Sequence, residues 1–337
     1  MSRARDLADL GGSADAGGLT GRNLIINGAM QVWQRGTGLT GSGYRIDRWY
    51  TEPRSGTIVT HDKSVDVPSG LGFSTSAHVY RSGGNDNGFH LNTNIELDAT
   101  GNYSKFATGT KLVYSVYIKK AASAVQTNYN PYIYLNAGTG GSNSSQAVFS
   151  NEGAGTMTND WQRMVFTFTC PTWTASAGSL NNVNCLVIRG IMGQDNTNQD
   201  IYITGAQLEV GDTATPFEHR SYADELRRCQ RYYWTSYDNV AAGTTGTNST
   251  SLYWVKDGTN SYATFGTTTF PSQMRVAPTC TIYNPTTGAS GSATSDGSNF
   301  NAQVYFSRKH TMAGGHAGVS IGNATGINYH MIADAEL

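Results

Sequence analysis

Charge is scarce in this chain of 337 residues: Asp, Glu, Lys and Arg make up 14% of it, against about 25% in ordinary globular proteins. The formal net charge is −1 and no Lys/Arg block exceeds two residues, so the electrostatic footprint of a nucleic-acid binder is missing. Cysteine is also sparse. Cys170, Cys185, Cys229 and Cys280 lie far apart without the paired spacing of a zinc site. Cys170 and Cys185 are the pair a disulfide would join, and buried free thiols are the other reading. A chain long enough for about two domains of ordinary size does not need the bridge. No apolar run approaches the roughly 20 residues of a membrane helix, so no membrane insertion is expected. The opening "MSRARDLADLGG" lacks the apolar region of a secretory signal. The expectation is a chain made in the cytoplasm that reaches the outside, if at all, by another route.

What is abundant points to β structure. Gly occurs 40 times and Tyr 19 times, and Thr is plentiful, a mix suited to strands joined by many turns. From Asn23, "NLIINGAMQVWQ" has two apolar runs around Asn27-Gly28, a dipeptide that turns a hairpin or bulges a strand. Strands are then expected at Thr57–His61, Ala77–Tyr80, Leu112–Lys119, Tyr132–Asn136, Arg163–Thr169, Cys185–Ile191 and Asp200–Val210. In "KLVYSVYIKK", Leu112, Tyr114, Val116 and Ile118 share one face, and in "RMVFTFTC" Met164, Phe166 and Phe168 do. In "QLEVG", Leu208 and Val210 are expected to point inward and Glu209 outward. Strands at this spacing predict an all-β fold that opens with a jelly-roll β-sandwich.

One segment breaks the pattern. In "SYADELRRCQRYYW", Ser221 caps a helix with Asp224 at its third helical position. Tyr222, Leu226, Cys229 and Tyr233 form its apolar face, with Glu225, Arg227, Arg228 and Arg231 opposite. After it, "SLYWVK", "YATFGTTTF", "TCTIYN", "AQVYFSR" and "INYHMIA" predict a smaller β-sandwich-like domain, with "NPTTGASGSATSDGSN" as a loop. The expected organisation is a terminal arm at 1–22, the jelly roll at 23–218, a connecting helix at 219–235 and a C-terminal β domain at 236–337. Within the arm, residues 2–10 have a short helical stripe that includes Leu7 and Leu10, too short to be stable alone.

"NLIINGAMQVWQRGT", "YRIDRWY", "GAQLEVGDTATPFEHRSYADELRRCQRYYW" and "FPSQMRVAPTCTIYN" together resemble, in order over most of the chain, a family of bacteriophage tail-fibre, receptor-binding and head-fibre virion proteins. In that family a jelly roll like a carbohydrate-binding module precedes a small β domain. The resemblance implies a structural virion protein, commonly a homotrimer, that meets glycans of the host surface. It also implies an N-terminal arm, with Leu7 and Leu10, that anchors to other virion proteins. Its Trp33 and Trp49 are expected to pack in the core, although a tryptophan can also serve as a sugar platform.

No catalytic or cofactor motif emerges. "GTGLTG" at 36–41 matches a dinucleotide fingerprint, but "SGYRIDRWY" follows where a helix is required. A polysaccharide depolymerase would need two carboxylates in one cleft, with Asp86, Glu96, Asp98, Asp195 and Asp200 as candidates. Tyr253, Trp254 and Tyr262 are candidate glycan contacts, since aromatic faces stack on sugar rings; with Phe265 nearby, they suit a trimer interface equally well. His310, His316 and His330 could meet on a threefold axis around a metal, but ordinary surface or packed histidines are the expected reading and no metal is assigned.

Overall fold

The computed structural model describes residues 21–54, 56–84, 88–97, 107–124, 128–136, 150–152, 155–170, 185–192, 199–255, 263–264, 267–295, 297–317 and 326–336. They fall into two units. Residues within 21–31, 40–44 and 49–221 form the first, and those within 32–39, 45–48 and 222–336 the second.

The strands of the first two sheets are β1 (Leu39–Thr40), β2 (Gly43–Ile46), β3 (Trp49–Pro53), β4 (Thr57–Ser64), β5 (Ser76–Gly84), β6 (Phe89–Glu96), β7 (Lys111–Lys120), β8 (Asn128–Asn136), β9 (Ser150–Glu152), β10 (Gly155–Thr156), β11 (Gln162–Thr169), β12 (Cys185–Met192) and β13 (Asp200–Val210). One sheet has the order β1-β4-β5-β13-β7-β11-β9, and a second β10-β8-β12-β6-β3-β2. The sheets face each other. Tyr114 of β7 and Tyr129 of β8, from opposite sheets, meet hydroxyl to hydroxyl at 3.0 Å, with Phe166 of β11 beside both rings. Thr51 of β3 and His61 of β4 make a second link at 2.7 Å, also buried. This is a jelly-roll β-sandwich, and the seven expected strands are all present.

The segment 23–34 is different from its reading. It forms no strand, and Asn27 and Met30 adopt left-handed φ of 58° and 52°. It lies along β13 through Leu24 N–H to Leu208 O at 3.0 Å, Ala206 N–H to Gly28 O at 3.0 Å and Asn23 Nδ2 to Ala206 O at 3.0 Å. Gly28 is required there, because a Cβ would sit 2.2 Å from Ala206 O. Glu218 holds the start of the same segment, accepting from Gly21 N–H at 2.6 Å and Asn23 N–H at 2.7 Å, while Arg220 donates to the Ile25 and Asn23 carbonyls.

The inward and outward positions of β13 also need correction. Leu208 is fully buried, but Val210 is 46% exposed and Glu209 only 4%. Residues 211–218 fold back over that side of the strand. There Glu209 accepts from Gln207 Nε2 at 2.8 Å and Thr215 N–H at 3.1 Å. Nearby, Phe217 packs on Phe73 and His219, both of the first unit. Trp49 and Trp33 are buried as core side chains.

The second unit contains helix α1 (Tyr222–Gln230) and strands β14 (Tyr233–Thr235), β15 (Leu252–Val255), β16 (Ala263–Thr264), β17 (Thr268–Thr269), β18 (Thr279–Tyr283), β19 (Ser292–Ser295), β20 (Ser298–Asn301), β21 (Gln303–Ser307), β22 (Thr311–Ala317) and β23 (Gly326–Asp334). Central β23 pairs with β14, β15, β18 and β19, and β22 pairs with β16, β17 and β21. Phe270, Met274, Ile282, Phe300, Ile327 and Met331 are among its core. Two expectations change. The helix ends at Gln230 and Tyr233 begins a strand, and the stretch read as a loop contains the β19–β20 hairpin. On the helix, Arg227 and Arg228 are exposed as expected, with Arg228 bonded to Asp224 at 3.1 Å. Glu225, however, is buried while Tyr222 is half exposed.

Within this unit the charges of two early motifs are enclosed together. Asp47 accepts from Gln34 N–H and Gln34 Nε2, each at 2.7 Å, and lies 3.5 Å from Arg35. Glu336 pairs with Arg35 at 3.1 Å and with Arg48. The two guanidiniums stack on Tyr233 and Tyr232, 3.6 and 3.5 Å from the ring centres. Two positive and two negative groups therefore share one buried cluster, the balance such burial requires. Cys170, Cys229 and Cys280 are free, and burial pushes the Cys170 and Cys280 thiols up to about 11, which leaves them protonated and unreactive.

Candidate functional site

The second sheet of the sandwich turns an unusual face away from the core. Successive side chains alternate between faces, so Phe89, Leu91 and Thr93 of β6 point inward and His90, Asn92 and Asn94 outward. Trp49 and Thr51 of β3 are inward and Tyr50 and Glu52 outward. On β12 Leu186 and Ile188 are core and Arg189 is outward. On β8 Tyr129 and Ile133 are core, and Asn130, Tyr132 and Tyr134 outward. Strand register sets Tyr132, Arg189, Asn92 and Tyr50 in one row across four strands, with Glu52 beside His90 in the next.

Glu52 is the hub of this face. Its Oε2 accepts from Arg189 Nη2 at 2.9 Å and from Asn92 Nδ2 at 3.5 Å, and lies 3.5 Å from His90 Nδ1. The Arg189 guanidinium lies 5.2 Å from the Tyr134 ring centre. At one side Asn94 Nδ2 donates to Tyr44 Oη at 2.8 Å, and Tyr44 meets Tyr50 edge to face. Tyr132 is 42% exposed, whereas His90 and Asn92 are 8% and 4% exposed.

Both ring nitrogens of His90, Asn92 Oδ1 and Asn130 Oδ1 are among the buried polar atoms of this face without a hydrogen bond. The 3.5 Å approach of His90 to Glu52 is well beyond the roughly 2.9 Å of a good hydrogen bond. Buried polar atoms are almost always bonded, and each exception asks for a cause. Burial lowers the His90 pKa, Arg189 lowers it further and Glu52 only partly offsets them, so the imidazole is neutral at neutral pH. The arrangement offers an exposed aromatic ring, a fixed ion pair and a floor of unsatisfied hydrogen-bonding groups. It can bind a polar molecule.

The outer face of the first sheet is different. Asp62, His78, Tyr202 and Lys119 lie in one cross-strand row, but they are matched internally. Lys119 and Trp161 Nε1 both bond Asp66, at 2.5 and 2.9 Å, and His78 bonds Asp200 at 2.7 Å. His78 is stacked between the Tyr80 and Tyr202 rings, so neither of its faces is open to a ligand.

Of the glycan contacts read from the sequence, Tyr253 and Trp254 lie on β15 in the second unit, 58% and 37% exposed. Tyr253 lies over Gly326, where a Cβ would meet its hydroxyl at 2.0 Å. Tyr262, Phe265, Leu7 and Leu10 lie outside the described residues. His310 is exposed, while His330 is fully buried and bonded to Ser236 and to Thr247 O, so it packs within the unit. Among the described residues no three His, Cys, Asp or Glu gather as a metal site. Of the candidate acids, Asp200 is committed to His78, Glu96 ends β6, and Asp86, Asp98 and Asp195 lie outside the described residues. Glu52, His90, Asn92, Tyr132 and Arg189 were not singled out from the sequence. The signal that could have found them is the alternation of "FHLNTNIE", apolar or small on one side and His, Asn and Asn on the other.

No family model matches the chain, and no curated protein matches it. Among solved structures it is similar to the enzymatically active domain of bacteriophage CBA120 tailspike protein 4, at 13% identity and a TM-score of 0.34 over 56% of this chain and 22% of that one. It is also similar to a xylan-binding CBM22 domain from Paenibacillus barcinonensis, at 11% identity and 0.32 over 53% and 99%. A family 11 carbohydrate-binding module of a Clostridium thermocellum cellulosomal cellulase aligns at 14% and 0.29 over 54% and 97%. Likeness at this level carries no function; the sandwich stands on its own strands and register.

Proposed function

We propose that this protein is a structural subunit of a bacteriophage particle, in a tail fibre or receptor-binding position, that attaches to the bacterial surface by binding glycan on the outer face of the second sheet. The observation that carries the binding role is the row Tyr132, Arg189, Asn92 and Tyr50 with Glu52 at its side. An exposed ring can stack on a sugar while a carboxylate, a guanidinium and amides bond its hydroxyls. The virion setting rests on the resemblance of the four co-linear motifs to phage virion proteins. In this reading residues 1–22 anchor the chain to other virion proteins through Leu7 and Leu10, and a homotrimer presents three equal faces. Several linked weak sites can then raise avidity by about 10² to 10⁴, so no single site need be tight and no catalysis is required.

The test is adsorption of the purified chain to host cells or to polysaccharide extracted from them. Wild-type protein is expected to bind, and Tyr132→Ala with Arg189→Ala to lose binding at least about tenfold with the fold intact. A head-decoration role is the second reading, because the same motifs resemble head fibres. Gold-labelled antibody on intact particles separates the two, a tail label supporting attachment and a head label decoration.

A further inference from the structure

We infer that the floor of this face, His90, Asn92 and Asn130, selects an uncharged, hydroxyl-bearing glycan over an anionic one; the inference rests on the glycan-binding reading above. It follows from which atoms are left without partners. Asn92 turns its Nδ2 toward Glu52 Oε2, 3.5 Å away, and a carboxylate can only accept. That contact sets the amide orientation and leaves Oδ1 as the unpaired atom. Asn130 Oδ1, in the same cross-strand row as His90 with Ile191 of β12 between them, is unpaired as well. Both atoms are acceptors and need a donor from the ligand. His90 has only the long 3.5 Å approach of Nδ1 to Glu52 and no hydrogen bond at Nε2, and as a neutral ring it offers one donor and one acceptor.

A carboxylate or sulfate group brings acceptors only, and would set oxygen against the two amide oxygens and the Glu52 carboxylate, while phosphate adds negative charge beside that same carboxylate. A sugar hydroxyl brings a donor and acceptors in one group, so each hydroxyl can satisfy an amide oxygen and take a proton from His90 or Arg189 in the same contact. Of the nearby cations, Arg189 already donates to Glu52 at 2.9 Å, an ion pair that adds no net charge to the floor, and Arg54 is the other charge that acts on His90. The partly exposed Glu52 and Arg189 side chains form the rim, and a ligand reaches the floor by taking over the long contacts of Glu52.

The experiment is calorimetric titration of the full chain with neutral oligosaccharides (β-1,4-glucan, β-1,4-xylan and α-mannan fragments), with oligogalacturonate as the anionic sugar and with inorganic phosphate. Binding is expected to a neutral probe and to neither anion. Asn92→Leu and the milder Asn130→Ala should each weaken it about tenfold or more, with an unchanged thermal midpoint for Asn130→Ala. Binding of oligogalacturonate or phosphate that Tyr132→Ala abolishes would overturn the neutral selectivity and leave glycan attachment standing. Neutral binding that survives Asn130→Ala and Tyr132→Ala alike, or no binding to any probe, would place the ligand elsewhere and sink the attachment face with it. A crystal structure of a glycan complex in which only water reaches Asn92 Oδ1 and Asn130 Oδ1 would also overturn the inference.

Discussion

Glu336, one residue from the end of the chain, carries more of the second unit than its position suggests. It faces two enclosed guanidiniums, Arg35 and Arg48, and removing one member of a buried ionic group leaves the others uncompensated at about 3–5 kcal/mol. Glu336→Ala should therefore destabilise the second unit by that order in a urea titration, far more than Glu→Ala at an exposed site. Glu218 has the same role in the first unit with smaller stakes. Burial raises its pKa, but the Asn23 and Gly21 amides and Arg220 outweigh it, so the carboxyl sits below its ordinary 4.5. That stabilisation is present above about pH 4.5 and is lost as pH falls through the lowered value. Glu218→Gln should remove this part of the acid sensitivity. His330 gives the opposite charge case. Thr247 O can only accept, so Nε2 carries the proton, and Nδ1 faces Ser236 Oγ at 2.9 Å with the Tyr237 ring stacked 4.0 Å away. Burial lowers its pKa below 6.5 despite those bonds. The unfolded chain takes up the proton first, so stability is full above about pH 6.5 and falls as pH drops through the folded value. His330→Gln should flatten that slope between about pH 7.5 and 5.5.

At the scale of elements, what could be read early was what is local. Alternation over eight to ten residues placed β7 and β11, because period-two patterning needs no knowledge of partners. The segment 23–34 was apolar in the right measure for a strand, yet its backbone is bent by left-handed Asn27 and Met30 and tied to β13 some 180 residues away. Glu209 and Glu225 read as solvent-facing and are buried for a like reason, since what encloses them is set by tertiary packing and lies beyond the local pattern. The candidate face was half legible: "FHLNTNIE" alternates, but only the register of β8, β12, β6 and β3 brings Tyr132, Arg189, Asn92 and Glu52 side by side. The close approach of segment 23–34 to β13 can be tested directly. Gly28→Ala would drive a Cβ into Ala206 O, which is backbone and cannot swing aside, at a cost of about 1–3 kcal/mol. Hydrogen exchange should then quicken at Leu24 and Ala206, whose amides make the two bonds of this junction.

At the scale of the whole molecule there are two β units: a sandwich whose second sheet has a polar and aromatic outer face, and a second unit with a buried, balanced charge cluster. The free thiols Cys170 and Cys229 are buried and Cys280 is partly so, and the described residues assemble no metal site. The outer face of the second sheet carries the polar atoms of His90, Asn92 and Asn130 that have no hydrogen bond within the protein. The most direct test is binding of the full chain to host-surface polysaccharide, wild type against Tyr132→Ala/Arg189→Ala, with the thermal midpoint measured alongside. Retention by the wild type and at least about tenfold loss in a folded double variant is the predicted result; equal retention by both would contradict attachment through this face.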